Sequence, residues 1–168
     1  VVAHVSDYEY SEVSDILELA AERNEPQFII ILDGIEDPHN LGAIIRTADA
    51  AGAHGIIIPK RRAAAVTATA EKAAAGAASY VHVARVTNIS QTIEDLKKEG
   101  VWIAAVDMDG DIYTEADFTG PIAFVTGSEG SGISRLVKEK CDFCVSIPMK
   151  GGVNSLNASN AAAILMYE

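Results

Sequence analysis

The run Phe28-Ile29-Ile30-Ile31-Leu32 contains no polar residue and is dominated by β-branched side chains. A strand of that kind is covered on both faces, as in a parallel sheet flanked by helices. A second run, Ile56-Ile57-Ile58, closes at Pro59, which cannot donate to a sheet ladder. Between the two, Leu41, Ile44, Ile45 and Ala48 share one face of a helix over 41–51, with Asn40 placed to cap it and Gly52 to stop it. Strand, helix, strand in that order calls for a right-handed crossover.

The alternation continues along the chain. Strands are expected over 81–86, 101–106, 122–125 and 143–147. Helices are expected over 66–75, from Asn88 to Lys98 with Glu94 four residues ahead of Lys98, over 134–140, and over 161–167. A further amphipathic helix, capped by Ser14 or Asp15, precedes the first strand and ends near Asn24 to Pro26. The pattern predicts an α/β fold: a mainly parallel sheet of about six strands with helices on both faces.

At 168 residues the chain suits one domain, and its start at Val1 and end at Glu168 inside a helical pattern read as a piece of a longer protein. It lacks both a membrane-length apolar run and a basic-then-apolar leader, so a cytoplasmic protein is expected. The net charge of −11 argues against a generic nucleic-acid coat. It leaves room for a local basic site: Lys60, Arg61 and Arg62 are consecutive, and Arg46 and Lys150 can converge on the same sheet edge, although a solvated basic turn fits the triplet equally well.

No metal is expected. Cys141 and Cys144 form a C-x-x-C pair, but His4, His39, His54 and His82 supply no second pair at ligand spacing, so reduced, partly buried thiols are the expectation. Asp107-Met108-Asp109-Gly110-Asp111 resembles the start of a calcium loop. It has Ile112 where a glycine is needed and Phe118 where a bidentate glutamate belongs, so a solvated acidic turn is expected instead.

Three loops fall at carboxyl ends of expected strands: 33–40, 126–132 and 148–157. Gly127 to Gly132 has the glycine spacing of a phosphate loop, but the next residues are Ile133 and Ser134, so the lysine that reaches the phosphates is absent, and Glu129 puts a negative charge in the cradle. That combination suits a ligand with cationic character or hydroxyl donors better than a polyphosphate. In the last loop, Pro148, Gly151 and Gly152 lead to a helix start where Asn157 serves as cap or as ligand contact, with Ser155 competing as cap. Arg46 stands opposite the apolar face of its helix and carries the side chain best matched to a phosphodiester.

Taken together, the segments from Asp37-Pro38-His39-Asn40-Leu41-Gly42 through Arg46, then Gly127-Ser128-Glu129-Gly130, then Ile147-Pro148-Met149 leading to Ser155-Leu156-Asn157-Ala158-Ser159, resemble the three signature motifs of the SpoU (TrmH-type) RNA 2′-O-ribose methyltransferases, in the family's order and roughly its spacing. Residues 73–77 and the strand at Trp102 look most like the branch acting on a guanosine of large-subunit ribosomal RNA. The resemblance implies an S-adenosylmethionine cofactor, a C-terminal trefoil knot, a homodimer whose active sites combine both subunits, and an RNA partner. It further implies that 1–26 lead in from an RNA-binding domain and that 27–168 form the catalytic domain. Gly127, Ile147 and Leu156 match cofactor-holding positions, with Met149 beside them. Arg46, Glu129 and Asn157 match the catalytic set, with Asn40 and Ser155 in support. Asn160 departs from the apolar residue usual in the last helix. The alternatives are a transfer-RNA ribose methyltransferase and a non-catalytic RNA-binding or assembly module of the same fold.

Overall fold

Residues 8–128, 130–153 and 155–168 are described by the computed structural model. The apolar run at Phe28 becomes β1 (Phe28–Asp33), and Ile29, Ile30, Ile31 and Leu32 are all buried. Alternate side chains leave a strand on opposite faces, so this one strand feeds two cores. Ile30 and Leu32 join one cluster; Ile29 and Ile31 join the other. Beside β1 lie β2 (Gly55–Pro59) and β5 (Ile122–Gly127); β3 (His82–Val86), β4 (Trp102–Ile112) and β6 (Phe143–Ser146) complete a sheet of order β3-β2-β1-β5-β4-β6. All its pairings are parallel.

Helices cover both faces, as expected. The first core holds residues of α2 (Pro38–Ala51), α3 (Ala68–Ala73) and α6 (Ala158–Met166). The second holds residues of α1 (Val13–Glu22), α4 (Ile89–Lys98) and α5 (Arg135–Lys140). No helix among the described residues is long and apolar enough to cross a membrane.

Several local expectations are corrected. Helix α1 is capped by Glu12, whose N–H donates to Asp15 at 2.8 Å, rather than by Ser14 or Asp15. This helix packs against the sheet: Ile16 and Ala20 are fully buried, and just ahead of it Ser11 N–H donates to the Val83 carbonyl at 2.9 Å. Residues 1–7 of the span 1–26 lie outside the described residues.

Helix α2 starts three residues earlier than its apolar pattern. Asp37 is the cap, accepting from His39 N–H at 2.9 Å, and Pro38 occupies the first turn, where its missing donor costs nothing. Asn40 is thereby released from capping. Glu94 hydrogen-bonds Lys140 of α5 at 2.6 Å and not Lys98 of its own helix. Helix α6 starts at Ala158 rather than 161, and β6 ends at Ser146, one residue before Ile147.

The largest correction concerns 107–111. The segment is not a solvated turn; it continues β4, with a register shift that pairs both Val106 and Asp111 with Val145 of β6. Gly110 makes this possible, since a Cβ there would come within 2.6 Å of the Val145 backbone nitrogen. The Ser146 hydroxyl donates to the Gly110 carbonyl at 2.9 Å, and the Lys138 ammonium reaches Asp107 at 3.0 Å and Asp109 at 2.8 Å. Charge pairing and a glycine override the loop composition.

Candidate cofactor cleft and active site

At the carboxyl ends of β4, β5 and β6 the chain leaves a cleft of about 600 Å³, within the usual size of a small-molecule site. Its inner wall is the end of β5. Gly127 can only be glycine there, because a Cβ would run into the Gly132 carbonyl and lie 2.5 Å from the Ile133 nitrogen. The loop that follows folds back on itself: Gly132 N–H donates to the Ser128 carbonyl at 2.9 Å, and the Ser128 and Ser131 hydroxyls share a 2.6 Å hydrogen bond. Ser134 N–H then donates to Asp33 at 2.8 Å, tying the loop's exit to the end of β1.

The opposite wall is the segment between β6 and α6. Ile147, Met149, Ser155 and Leu156 all line the cleft. Its end is fixed by Asn157, whose two possible roles turn out to coexist. The Asn157 Oδ1 caps α6, accepting from Ser159 N–H at 3.0 Å and Asn160 N–H at 3.3 Å, while Nδ2 donates to Asn40 Oδ1 at 3.1 Å. Ser155 is exposed and is not the cap. Asn160 is exposed in the first turn of α6, where a polar side chain fits without disturbing the core.

Of the expected site residues, Gly127, Ile147, Met149, Ser155 and Leu156 gather around one cleft; Asn40 and Asn157 do not line it but are bonded to each other, Asn157 lying in the chain between Leu156 and Ala158 of its wall. Arg46 does not join them. It is exposed on α2, does not line the cleft, and has no ion pair among the described residues. Glu129 lies outside the described residues. The sequence reading missed Asp107 and Met108, which form part of the wall. No local signal marks them: they reach the wall because β4 runs on to the same sheet edge, where Lys138, far along the chain, supplies the positive charge its acidic end needs.

No group of three or more metal-ligating side chains occurs among the described residues. The Cys141 thiol is pushed up to about 12, mainly by burial, and burial also raises Cys144, so both are poor nucleophiles at neutral pH.

A parallel sheet carrying a lysine-free glycine loop and a glycine-bearing tail around one cleft at its carboxyl edge defines an α/β protein built for a small organic cofactor. The chain belongs to the SpoU rRNA Methylase family, which it matches over residues 27–167. It is 54% identical to a Bacillus subtilis protein named as a TrmH family tRNA/rRNA methyltransferase, YacO, across 100% of this chain and 68% of that protein. It superimposes on the SpoU methyltransferase AviRb of Streptomyces viridochromogenes, solved in complex with AdoMet, with a TM-score of 0.79 and 32% identity over 85% of this chain and 59% of that one. An AdoMet-bound rRNA methyltransferase of Sinorhizobium meliloti gives a TM-score of 0.81 with 28% identity, over 95% of this chain and 59% of that one. The chain thus spans about two thirds of the curated relative and under two thirds of these solved neighbours.

The residues present fit S-adenosylmethionine, the cofactor of this family. Thr126 is 4% exposed, lines the cleft, and its hydroxyl has no hydrogen-bond partner among the described residues. A buried hydroxyl in that state is costly unless a ligand completes it. No Lys or Arg lines the cleft and Asp107 does, which suits a cationic ligand rather than a phosphorylated one. Ile147, Met149 and Leu156 supply apolar surface for a flat ring.

Proposed function

We propose that this chain is the catalytic part of an S-adenosylmethionine-dependent RNA methyltransferase that modifies a ribose 2′-hydroxyl, with a guanosine of large-subunit ribosomal RNA as its target. The observation that carries the reading is the meeting, in one cleft, of the Thr126 hydroxyl without a partner among the described residues, the glycine-only position 127 and the apolar side chains of Ile147, Met149 and Leu156. Bound there, the cofactor supplies an activated methyl group, so the chain has only to hold the acceptor hydroxyl in line and let its proton leave.

Arg46 serves as the phosphate clamp and stabilises developing oxyanion, since a guanidinium stays protonated and makes a poor base. The hydroxyl proton leaves through water or the RNA phosphate. Asn157 keeps the α6 N-terminus and Asn40 in one fixed arrangement, and Ser155 offers a hydroxyl to the same space. Because Arg46 stands outside its own cleft, the reading includes a homodimer in which one subunit's Arg46 completes its partner's site. The C-terminal trefoil knot belongs to the same reading.

Two measurements test it. Calorimetry on the full chain is expected to show uptake of S-adenosylmethionine and its demethylated thioether. Labelled methyl transfer to ribosomal RNA from cells lacking the protein is then expected to give 2′-O-methylguanosine. Transfer confined to transfer RNA would move the target, and absence of cofactor uptake would end the proposal.

A further inference from the structure

The turn after β2 has no part in the cofactor cleft. Pro59 ends that strand at the carboxyl edge of the sheet, and Lys60, Arg61 and Arg62 follow, all exposed. Both sides of the turn are tied by the backbone, one to a neighbouring strand and one to a neighbouring loop. Lys60 N–H donates to the Val86 carbonyl at the end of β3 at 2.9 Å, and Ala64 N–H donates to the Ile35 carbonyl at 2.8 Å, in the loop between β1 and α2. Ala64 and Val66 then enter the core. The turn is therefore a fixed bridge across the carboxyl edge, joined to the loop that leads into Asn40.

In a chain of net charge −11, with 24 Asp and Glu against 13 Lys and Arg, three adjacent cations would be expected to find carboxylates. Lys97, Lys138, Lys140 and Arg135 are ion-paired and Arg85 lies 4.6 Å over the Tyr10 ring, whereas Arg23, Arg46, Lys72, Lys98 and Lys150 stand singly without an ion pair among the described residues. The triplet differs from these in being three consecutive cations on one backbone-tied turn. Lys60, Arg61 and Arg62 have no ion pair among the described residues. In the loop they border, Asp37 is engaged as the cap of α2 and Asp33 accepts from Ser134 N–H, while Glu36 is exposed and has no ion pair among the described residues. Three adjacent cations on a turn whose backbone is tied at both ends, with Glu36 as the one free carboxylate of the bordering loop, leave a local excess of positive charge that the overall acidity does not cancel at short range.

We infer that Lys60, Arg61 and Arg62 form a docking strip for the phosphate backbone of the substrate RNA, gripping nucleotides that flank the one being modified. The inference rests on the RNA methyltransferase reading and adds to it the surface that holds the strand. Adjacent strands lie ~4.8 Å apart, which puts the turn ~10–15 Å along the edge from the end of β5 where the cleft opens. An RNA strand a few nucleotides long spans that distance. The contacts are to charge and not to bases, so the strip supplies affinity and register without choosing the target.

The test uses the full chain, a fluorescein-labelled single-stranded RNA 12-mer and total ribosomal RNA. Replacing all three residues by Gln removes up to three phosphate contacts, which is expected to lower the slope of log affinity against log salt by about 2 and to weaken binding on the order of 100-fold at 0.1 M salt. Affinity for S-adenosylmethionine by calorimetry is expected to stay at the wild-type value. Arg61→Lys with Arg62→Lys keeps the charges and is expected to keep the slope. If the triple variant loses its cooperative thermal transition, Arg61→Gln alone is read instead, with a slope change of about 0.7. A folded variant with the wild-type slope and affinity overturns the strip while leaving the methyltransferase reading intact. A wild-type chain that takes up no S-adenosylmethionine overturns that reading first.

Discussion

Two clefts of similar size open at opposite edges of the sheet, and their buried polar groups are in opposite states. The one at the amino edge, about 490 Å³, is bordered by His54, which is 1% exposed and has both ring nitrogens engaged. Phe28 N–H donates to its Nδ1 at 3.0 Å, and Nε2 faces Glu25 at 3.2 Å. At the carboxyl edge, Thr126 is as deeply buried and its hydroxyl has no partner among the described residues. At the amino edge the buried polar side chain is already satisfied within the chain and asks for no ligand. Where the polar inventory stays open at one atom beside a backbone that admits only glycine, the cleft is shaped for something else.

The harshest way to break this contrast is Gly127→Ala. The added methyl collides with the Gly132 carbonyl, so the 128–132 loop must open to admit it. We expect S-adenosylmethionine affinity to fall by a factor of 100 or more, with a stability loss of about 1–3 kcal/mol, since overpacking against backbone finds little relief. Calorimetry and thermal unfolding read the two effects separately. Near-normal affinity would mean that the loop does not shape the site.

His54→Ala attacks the other cleft. It strands the Phe28 N–H at the start of β1 and is expected to cost about 1–3 kcal/mol for the unsatisfied donor alone. Cofactor affinity should remain within twofold of wild type, because His54 lies at the far end of the strands. A folded His54→Ala protein that no longer takes up the cofactor would give the amino-edge cleft a functional standing it lacks here.

Thr126→Val sharpens the contrast by sign. Val matches the shape of Thr without the hydroxyl, so the free protein should be unchanged or more stable by up to about 1 kcal/mol. The cofactor complex should be weaker by roughly fivefold, the equivalent of one modest hydrogen bond. Destabilisation of the free protein would mean that the hydroxyl already has a partner and that the open inventory at this edge is not real.

The sheet was legible from the sequence because burial on both faces leaves no choice: runs such as 28–32 and 56–58 can be little else. Helix starts were less so. The apolar pattern of α2 begins at Leu41, but the backbone begins at Pro38, because capping chemistry and not periodicity sets a terminus. The segment 107–111 was unreadable for a different reason. Its carboxylates are typical of a turn, and the charge that converts it into a strand comes from Lys138, some thirty residues further on. The same non-locality hid Asp107 and Met108 as part of the cleft wall. Asn157 was legible as an ambiguity that only its two-ended hydrogen bonding could resolve.

The smallest expected effect concerns that ammonium clamp. Hydrogen bonds that the Lys138 ammonium donates to Asp109 and then to Asp107 raise the Lys138 pKa above its ordinary value, and Lys138 lowers that of Asp109 in turn. A lysine whose folded pKa is raised contributes its full stabilisation below the unfolded value of about 10.4 and loses it only as pH climbs through the higher folded value. An aspartate with a depressed pKa loses its share only in acid, below about 3.9. Between pH 6 and 9.5 neither partner changes state, so the wall formed by Asp107 and Met108 should keep its position, and cofactor affinity titrated over that window should show no step arising from this pair. Lys138→Met removes the charge at every pH. It should weaken the cofactor severalfold, with Lys138→Arg restoring most of the loss, since either cation can bridge two carboxylates. An affinity step in that window that disappears in Lys138→Met would show that the clamp titrates there, and the wall would then belong with the closed inventory of the amino edge in neither its chemistry nor its rigidity.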